Sequence, residues 1–205
     1  MALTLTTPKT LLGAFTPEAA GTRLASGLAT VVLGTLFITV CSKLSVPTWP
    51  IPVTLQTFAV AALAAAFGWR IGLATIALYI IEGLSGLPVF AGAAAGPAYL
   101  FGPTGGFILG FLPMAAIVGY AADRGLSRRL PMLFVVMLAA DAVVFAIGFA
   151  WLVMVLSGLK GVGLEAVAGP AFDGAIKPFV IWDILKMAFA ALSVIGGWSL
   201  LRRGK

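Results

Sequence analysis

The chain has 205 residues, 61% of them hydrophobic and 10% charged, with a mean hydropathy of +1.11; soluble domains carry about 25% charged residues. Its surface is therefore expected to need lipid. The absence of His removes an imidazole base and imidazole metal ligands, and the single cysteine, Cys41, excludes an intramolecular disulfide and a thiolate cluster; no Gly-rich Lys-Ser/Thr loop for nucleotide hydrolysis is present either. No metal, no cofactor and no catalytic residue is expected, and an ATP-driven step would have to come from a partner. The net charge of +6 does not point to nucleic acid, because the basic residues sit at the ends of apolar segments.

The first twenty residues hold Lys9 and Glu18 but no basic, apolar and small-residue sequence ending in a cleavage site, so no cleaved signal peptide is expected. A bilayer core about 30 Å thick calls for roughly 20 apolar residues per helix, so this length accommodates about six crossings in one polytopic membrane domain over 1–205. The first predicted helix is 24–41. Gly21, Ala25 and Ala29 lie along its start at four-residue spacing, a small-residue stripe that allows close approach of another helix, from this chain or from a partner subunit. The prolines of Val46-Pro47-Thr48-Trp49-Pro50-Ile51-Pro52 close it, because they cannot continue helical hydrogen bonding. Helices follow at 53–69 and 71–86, hinged at Trp69-Arg70, with Gln56 a polar group near the outer end of the first of them. It either bonds a ligand or satisfies loop backbone.

The stretch from Gly83 to Ala122 carries no charge and has room for an extra crossing. The positive-inside rule argues against one. With six crossings and both termini cytoplasmic, Lys9, Arg23, Arg70, Arg124, Arg128, Arg129, Arg202, Arg203 and Lys205 fall inside and only Lys43, Lys160 and Lys177 outside, nine against three. Leu87 to Thr104 is accordingly expected as an outer loop dipping toward the membrane, where irregular backbone is tolerated only against protein or a watery cavity. Gly102-Pro103-Thr104-Gly105-Gly106 then turns the chain tightly into a helix over 105–122, and the last two helices cover 130–156 and 179–201. Trp49, Trp69, Trp182 and Trp198 lie near helix ends, where indoles prefer the lipid–water boundary.

Asp183 and Lys186 carry the sharpest signal. Three residues apart, they share one face of an apolar helix, and each charge costs about 2.5 to 3.5 kcal/mol to insert at the membrane centre, so such residues usually face a cavity or a partner. Counted from Pro178 at 1.5 Å per residue, they lie roughly 8 Å and 12 Å below the outer surface. A carboxylate and an ammonium at different depths can hold two ends of an elongated ligand, or they can neutralise each other as an internal ion pair. Asp141, about 16 Å along its own helix from the inner end, lies at a depth that Lys186 can reach.

Four motifs in order then carry a family resemblance: Pro50 to Val60 (Pro-Ile-Pro-Val-Thr-Leu-Gln-Thr-Phe-Ala-Val), Gly86 to Gly92 (Gly-Leu-Pro-Val-Phe-Ala-Gly), Phe101 to Phe111, and Asp183-Ile184-Leu185-Lys186. Over nearly its whole length the chain resembles BioY, the biotin-binding S component of energy-coupling-factor (ECF) vitamin transporters. The resemblance implies an all-α membrane protein of six helices, with outer loops capping a pocket that captures biotin. It maps the ligand-contacting acid and base of the family onto Asp183 and Lys186, the ureido ring toward the former and the carboxylate toward the latter. It also implies a bacterial plasma-membrane location, a transmembrane T component with two cytoplasmic ATPases as partners, and an Ala-x-x-x-Ala contact with the T component at Ala25 and Ala29. Phe90 and Tyr99 are expected as apolar walls around the fused rings. After Pro-Val-Phe-Ala-Gly this chain reads Ala93-Ala94-Ala95-Gly96 where relatives are often more polar, so backbone groups at Gly92 and Ala93, or Tyr99, are the expected substitutes. A homo-oligomer stays open, as does an ion-coupled carrier or pore for a small anionic metabolite working without ATPases, with Asp141 as its coupling carboxylate.

Overall fold

The computed structural model describes residues 10–11 and 20–203; Lys9, Glu18 and Lys205 lie outside them. The described chain is helical except for one small ladder. Its elements run α1 (Ala20–Lys43), β1 (Ser45–Val46), β2 (Val53–Thr54), α2 (Gln56–Phe67), α3 (Trp69–Leu84), α4 (Pro97–Leu100), α5 (Gly105–Asp123), a 3-10 turn (Leu126–Arg128), α6 (Leu130–Lys160), α7 (Leu164–Ala175) and α8 (Val180–Arg203).

The prolyl segment is held differently from a plain loop. Ser45 pairs with Thr54 and Val46 with Val53 in an antiparallel ladder, which folds Pro47 to Pro52 into a tongue containing a cis Trp49–Pro50 bond. Because Val53 and Thr54 serve the ladder, α2 begins at Gln56, three residues later than the apolar run alone predicts. At 12 residues it is about 18 Å long, and α3 with 16 residues about 24 Å. Both fall short of the roughly 20 apolar residues that a spanning helix requires. Among the described residues four helices are long and apolar enough to cross a membrane, at Leu24–Lys43, Gly105–Asp123, Leu130–Lys160 and Val180–Leu200.

The chain turns between α2 and α3 at Gly68, whose φ of 89° only glycine adopts without strain. The hinge thus precedes the predicted Trp69-Arg70 position. Packing enforces it, because a Cβ at Gly119 of α5 would lie 2.4 Å from the Trp69 Cα. Among the described residues α5 lies most extensively against α6, and α2 rests on α5 and α8. Gly106 makes the α5–α6 approach possible, since its Cβ would meet the Trp151 Cβ at 2.2 Å.

The main core draws on α1, α2, α3, α5, α6 and α8. A smaller one forms where α7, absent from the sequence expectation, lays Val167, Ala171 and Ala175 against Leu152 and Leu156 of α6, beneath Ile51 of the tongue. Large apolar side chains stay exposed along α1 (Leu28, Leu33, Leu36, Val40) and α8 (Ile181, Phe189, Leu200), a surface suited to lipid. Trp49 and Trp182 are exposed as boundary residues should be, but Trp198 is not. It is buried, its Nε1 donating to Ser127 Oγ at 3.3 Å and the Arg128 guanidinium lying 4.2 Å from its ring centroid. Trp198 is thus a packing residue at the Arg-rich end, because the 3-10 turn supplies the hydroxyl and the cation that its ring needs.

Candidate ligand-binding site

The polar centre begins with α8. Asp183 N donates to Phe179 O at 2.8 Å, which places Asp183 in the first turn of α8, where the positive end of the helix dipole favours a carboxylate. One turn on, Lys186 reaches back, and its Nζ donates to Asp183 Oδ1 at 3.0 Å. Thr57 Oγ1 of α2 donates to the same oxygen at 2.6 Å. Side chains of the pair retain only 9% and 3% of their accessible surface, for Lys186 and Asp183 respectively, so the two charges compensate each other where water does not. The ion pair open at the sequence level is therefore formed, with Asp183 rather than Asp141 as the partner of Lys186.

A cavity of about 60 Å³ lies beside this pair, bordered by Gln56 and Thr57 of α2, Tyr99 of α4, Asp141 of α6, and Asp183 and Lys186 of α8. Its remaining wall is aromatic and aliphatic, with Phe107 and Phe111 from α5 and Phe145 from α6. An outer chamber of about 360 Å³ adjoins it, and the two share Pro52, Ala91, Tyr99 and Thr104 as common walls. The inner space suffices for a few water molecules; an elongated organic ligand needs both chambers or a shift of the walls between them.

Gln56 is tied down at both ends. Its Nε2 donates to Tyr79 Oη at 2.7 Å, its Oε1 accepts from Thr54 Oγ1 at 3.0 Å, and Tyr79 Oη in turn donates to Val89 O at 2.9 Å. Gln56 thus lines the cavity and reaches the loop at Val89 only through Tyr79. Burial raises the Tyr99 phenol above its ordinary range, which keeps it neutral as a hydrogen-bonding wall.

Phe90 stands behind the wall rather than in it. Wholly buried, it stacks on Tyr99 at 5.2 Å and 17° and meets Tyr79 edge-on at 5.6 Å, and Gly83 leaves it the room, since a Cβ there would lie 2.0 Å from its Cζ. Gly92 borders the outer chamber with Ala91 beside it, whereas Ala93 is exposed and borders neither chamber. The loop that carries them is gripped from the end of α1. Lys43 Nζ donates to the carbonyls of Pro88, Phe90 and Gly92 at 2.5, 2.6 and 2.6 Å, and Ser42 Oγ to that of Val89 at 2.8 Å. Lys43, by sequence a topological charge, is thus a clamp on the loop. Thr57 and Phe107 were missed as wall residues, although both fall inside motifs that were noticed. Ala25 and Ala29 lie far along α1 from this end and are exposed.

Four membrane-length apolar helices among the described residues, with a buried acid–base pair and a cavity near one end, define a multi-pass membrane protein. The chain belongs to the BioY family, which it matches over residues 13–203. It is 34% identical over 175 residues to a biotin transporter, BioY2, of Lactococcus lactis subsp. cremoris, covering 85% of this chain and 90% of that one. It is 32% identical to the biotin transporter BioY of Thermotoga maritima, covering 77% and 87% of the two chains. Its fold is similar to the crystal structure of the S-component for biotin from an ECF-type ABC transporter, with a TM-score of 0.72 at 21% identity over 88% of this chain and 93% of that one.

Proposed function

We propose that this protein is the substrate-binding S component of an ECF-type transporter and takes up biotin across the bacterial plasma membrane. It is a transport subunit, not an enzyme, and biotin is its cargo. The observation that carries this reading is the Asp183–Lys186–Thr57 cluster, formed by side chains of the family motifs and buried beside a cavity in a chain of the BioY family. With Lys186 already bonded to Asp183, the pair offers an acceptor and a donor side by side. That suits a cyclic urea, which has N–H donors flanking a carbonyl. The ureido ring therefore lies in the inner cavity against Asp183 and Lys186, the fused rings lie against Tyr99 and Phe107, and the valerate tail runs to the outer chamber past Gly92. This reverses the end of biotin that Lys186 was expected to receive, because an ammonium held by a carboxylate is a poor partner for a second one.

In this arrangement α2 and α3, though shorter than the bilayer core, cross it packed against α5 instead of standing alone in lipid, so that six helices pass the membrane with both termini cytoplasmic. The tongue between β1 and β2 and the loop from Leu87 to Thr104 cap the site from outside. A T component with two ATPases supplies the energy. Purified full-length protein is expected to show a higher melting temperature with biotin and not with thiamine or riboflavin. Equal stabilisation by all three, or by none, overturns the assignment. Biotin uptake into liposomes holding this chain alone would instead favour the ion-coupled carrier.

A further inference from the structure

Asp141 is the one group of the inner cavity that no protein side chain serves. It sits in the middle of α6 with 4% of its surface accessible and borders the cavity together with Asp183 and Lys186. No protein group hydrogen-bonds to its Oδ1, the only buried side-chain polar atom so placed among the described residues. Buried polar atoms are nearly always bonded, and each exception calls for an explanation. Asp183, by contrast, already receives Lys186 and Thr57 on its Oδ1, and Gln56 is engaged through both its amide atoms. The unmet acceptor capacity of the cavity therefore lies on Asp141 and on the second oxygen of Asp183, since both bonds to Asp183 fall on its Oδ1.

We propose that Asp141 is a third biotin-contacting side chain, accepting a hydrogen bond from one ureido N–H while Asp183 accepts from the other and Lys186 donates to the ureido carbonyl. This rests on the biotin reading above and deepens it. The count of groups matches: a cyclic urea presents two N–H donors and one carbonyl acceptor, and the cavity presents two carboxyl groups and one ammonium. Charge points the same way. Two acids beside one base disfavour a ligand carboxylate in the inner cavity, whereas a neutral urea meets both acids through its hydrogens. An acceptor with no protein partner also contributes nothing to the fold by hydrogen bonding, so its removal spares the empty protein and penalises the loaded one.

The test uses full-length protein, Asp141→Asn and Asp141→Ala, titrated with biotin and with the two biotins methylated on one or the other ureido nitrogen. Asp141→Ala is expected to weaken biotin at least tenfold, about 1.4 kcal/mol. Asp141→Asn, which keeps a carbonyl acceptor, falls between it and wild type. Methylation at either nitrogen weakens binding to wild type, and one of those two penalties shrinks to less than threefold in Asp141→Ala, the coupling that marks a direct contact. The ligand-free variants melt at or above the wild-type temperature. Biotin affinity within twofold of wild type in Asp141→Ala, both methylation penalties undiminished, or variants too unstable to purify would each overturn the proposal, the last because it makes Asp141 a structural residue. Wild-type protein that fails to bind biotin at all would instead sink the functional reading on which the proposal rests.

Discussion

Lys186 and Asp183 each make the other tolerable, and their separate removal has a different meaning from their joint removal. Lys186→Met strands a carboxylate that only Thr57 still contacts, and breaking one side of a buried pair typically costs roughly 3–5 kcal/mol. Asp183→Asn leaves the ammonium with only Asp141 of the same cavity to compensate it. The double variant removes both charges of the pair together, and replacing a whole buried pair is often far less costly than removing one partner. Thermal melting is expected to show both single variants clearly below wild type and the double variant restored to near it. Biotin titration of the same three proteins is expected to show binding lost in all. A double variant that stays as unstable as the singles would mean that the pair is not the source of the loss, and one that binds biotin would remove the pair from the site.

At the scale of elements, the end of α1 governs the cavity from outside it. Leu55 N donates to the carbonyls of Cys41 and Leu44, while Ser42 and Lys43 hold the backbone from Pro88 to Gly92. The tongue and the loop from Pro88 to Gly92 thus both hang on one helix terminus. Lys43→Met removes the ammonium that gathers three carbonyls and is expected to loosen that loop without disturbing the helices. Biotin dissociation should quicken on the order of tenfold with a smaller change in association, as is usual for changes within one interface, and Lys43→Arg should recover part of the loss. Faster amide exchange confined to residues 88–96 checks the cause, and unchanged dissociation would release Lys43 from this role. Much of this scale is legible in the sequence, and what is not has a physical reason. Long apolar runs announce α1, α5, α6 and α8 because nothing but helix satisfies their backbone in lipid. The acid and base three residues apart announce the polar centre because burial of charge is costly. By contrast α7 has only 12 residues, with Glu165, Gly169, Pro170 and Asp173 among them; Leu164, Val167, Ala168, Ala171, Phe172 and Ala175 do recur at helical spacing, but the Gly-Pro step interrupts that signal, and the helix is stabilised by seating Val167 and Ala171 on α6. A two-residue ladder leaves no periodicity. Phe90 and Tyr99 looked equivalent as aromatic residues of one loop, and only the space left by Gly83 decides which of them faces the cavity.

Taken whole, the molecule separates two surfaces. The cavity end gathers the tongue, α4, the loop beneath Lys43 and the first turn of α8, whereas the Arg-rich end packs Trp69 against Gly119 and Trp198 against Ser127. Ala25 and Ala29 lie on α1 toward the second end and are exposed, on a helix whose Leu28, Val32, Leu36 and Val40 are exposed as well. Small residues allow close backbone approach between membrane helices, whose association depends on tight packing. If α1 receives the T component there, bulk at these two positions should separate capture from transport. Ala25→Leu with Ala29→Leu is expected to leave biotin affinity within twofold of wild type, since neither residue borders the cavity or the outer chamber. The same protein should fail to co-purify with a T component and its ATPases, and cells that depend on it should lose biotin uptake by at least tenfold, the order of effect produced by about 1.4 kcal/mol at the contact. Uptake at the wild-type rate would move the docking face off this part of α1, while loss of biotin binding by the isolated variant would show that the face supports the ligand site itself.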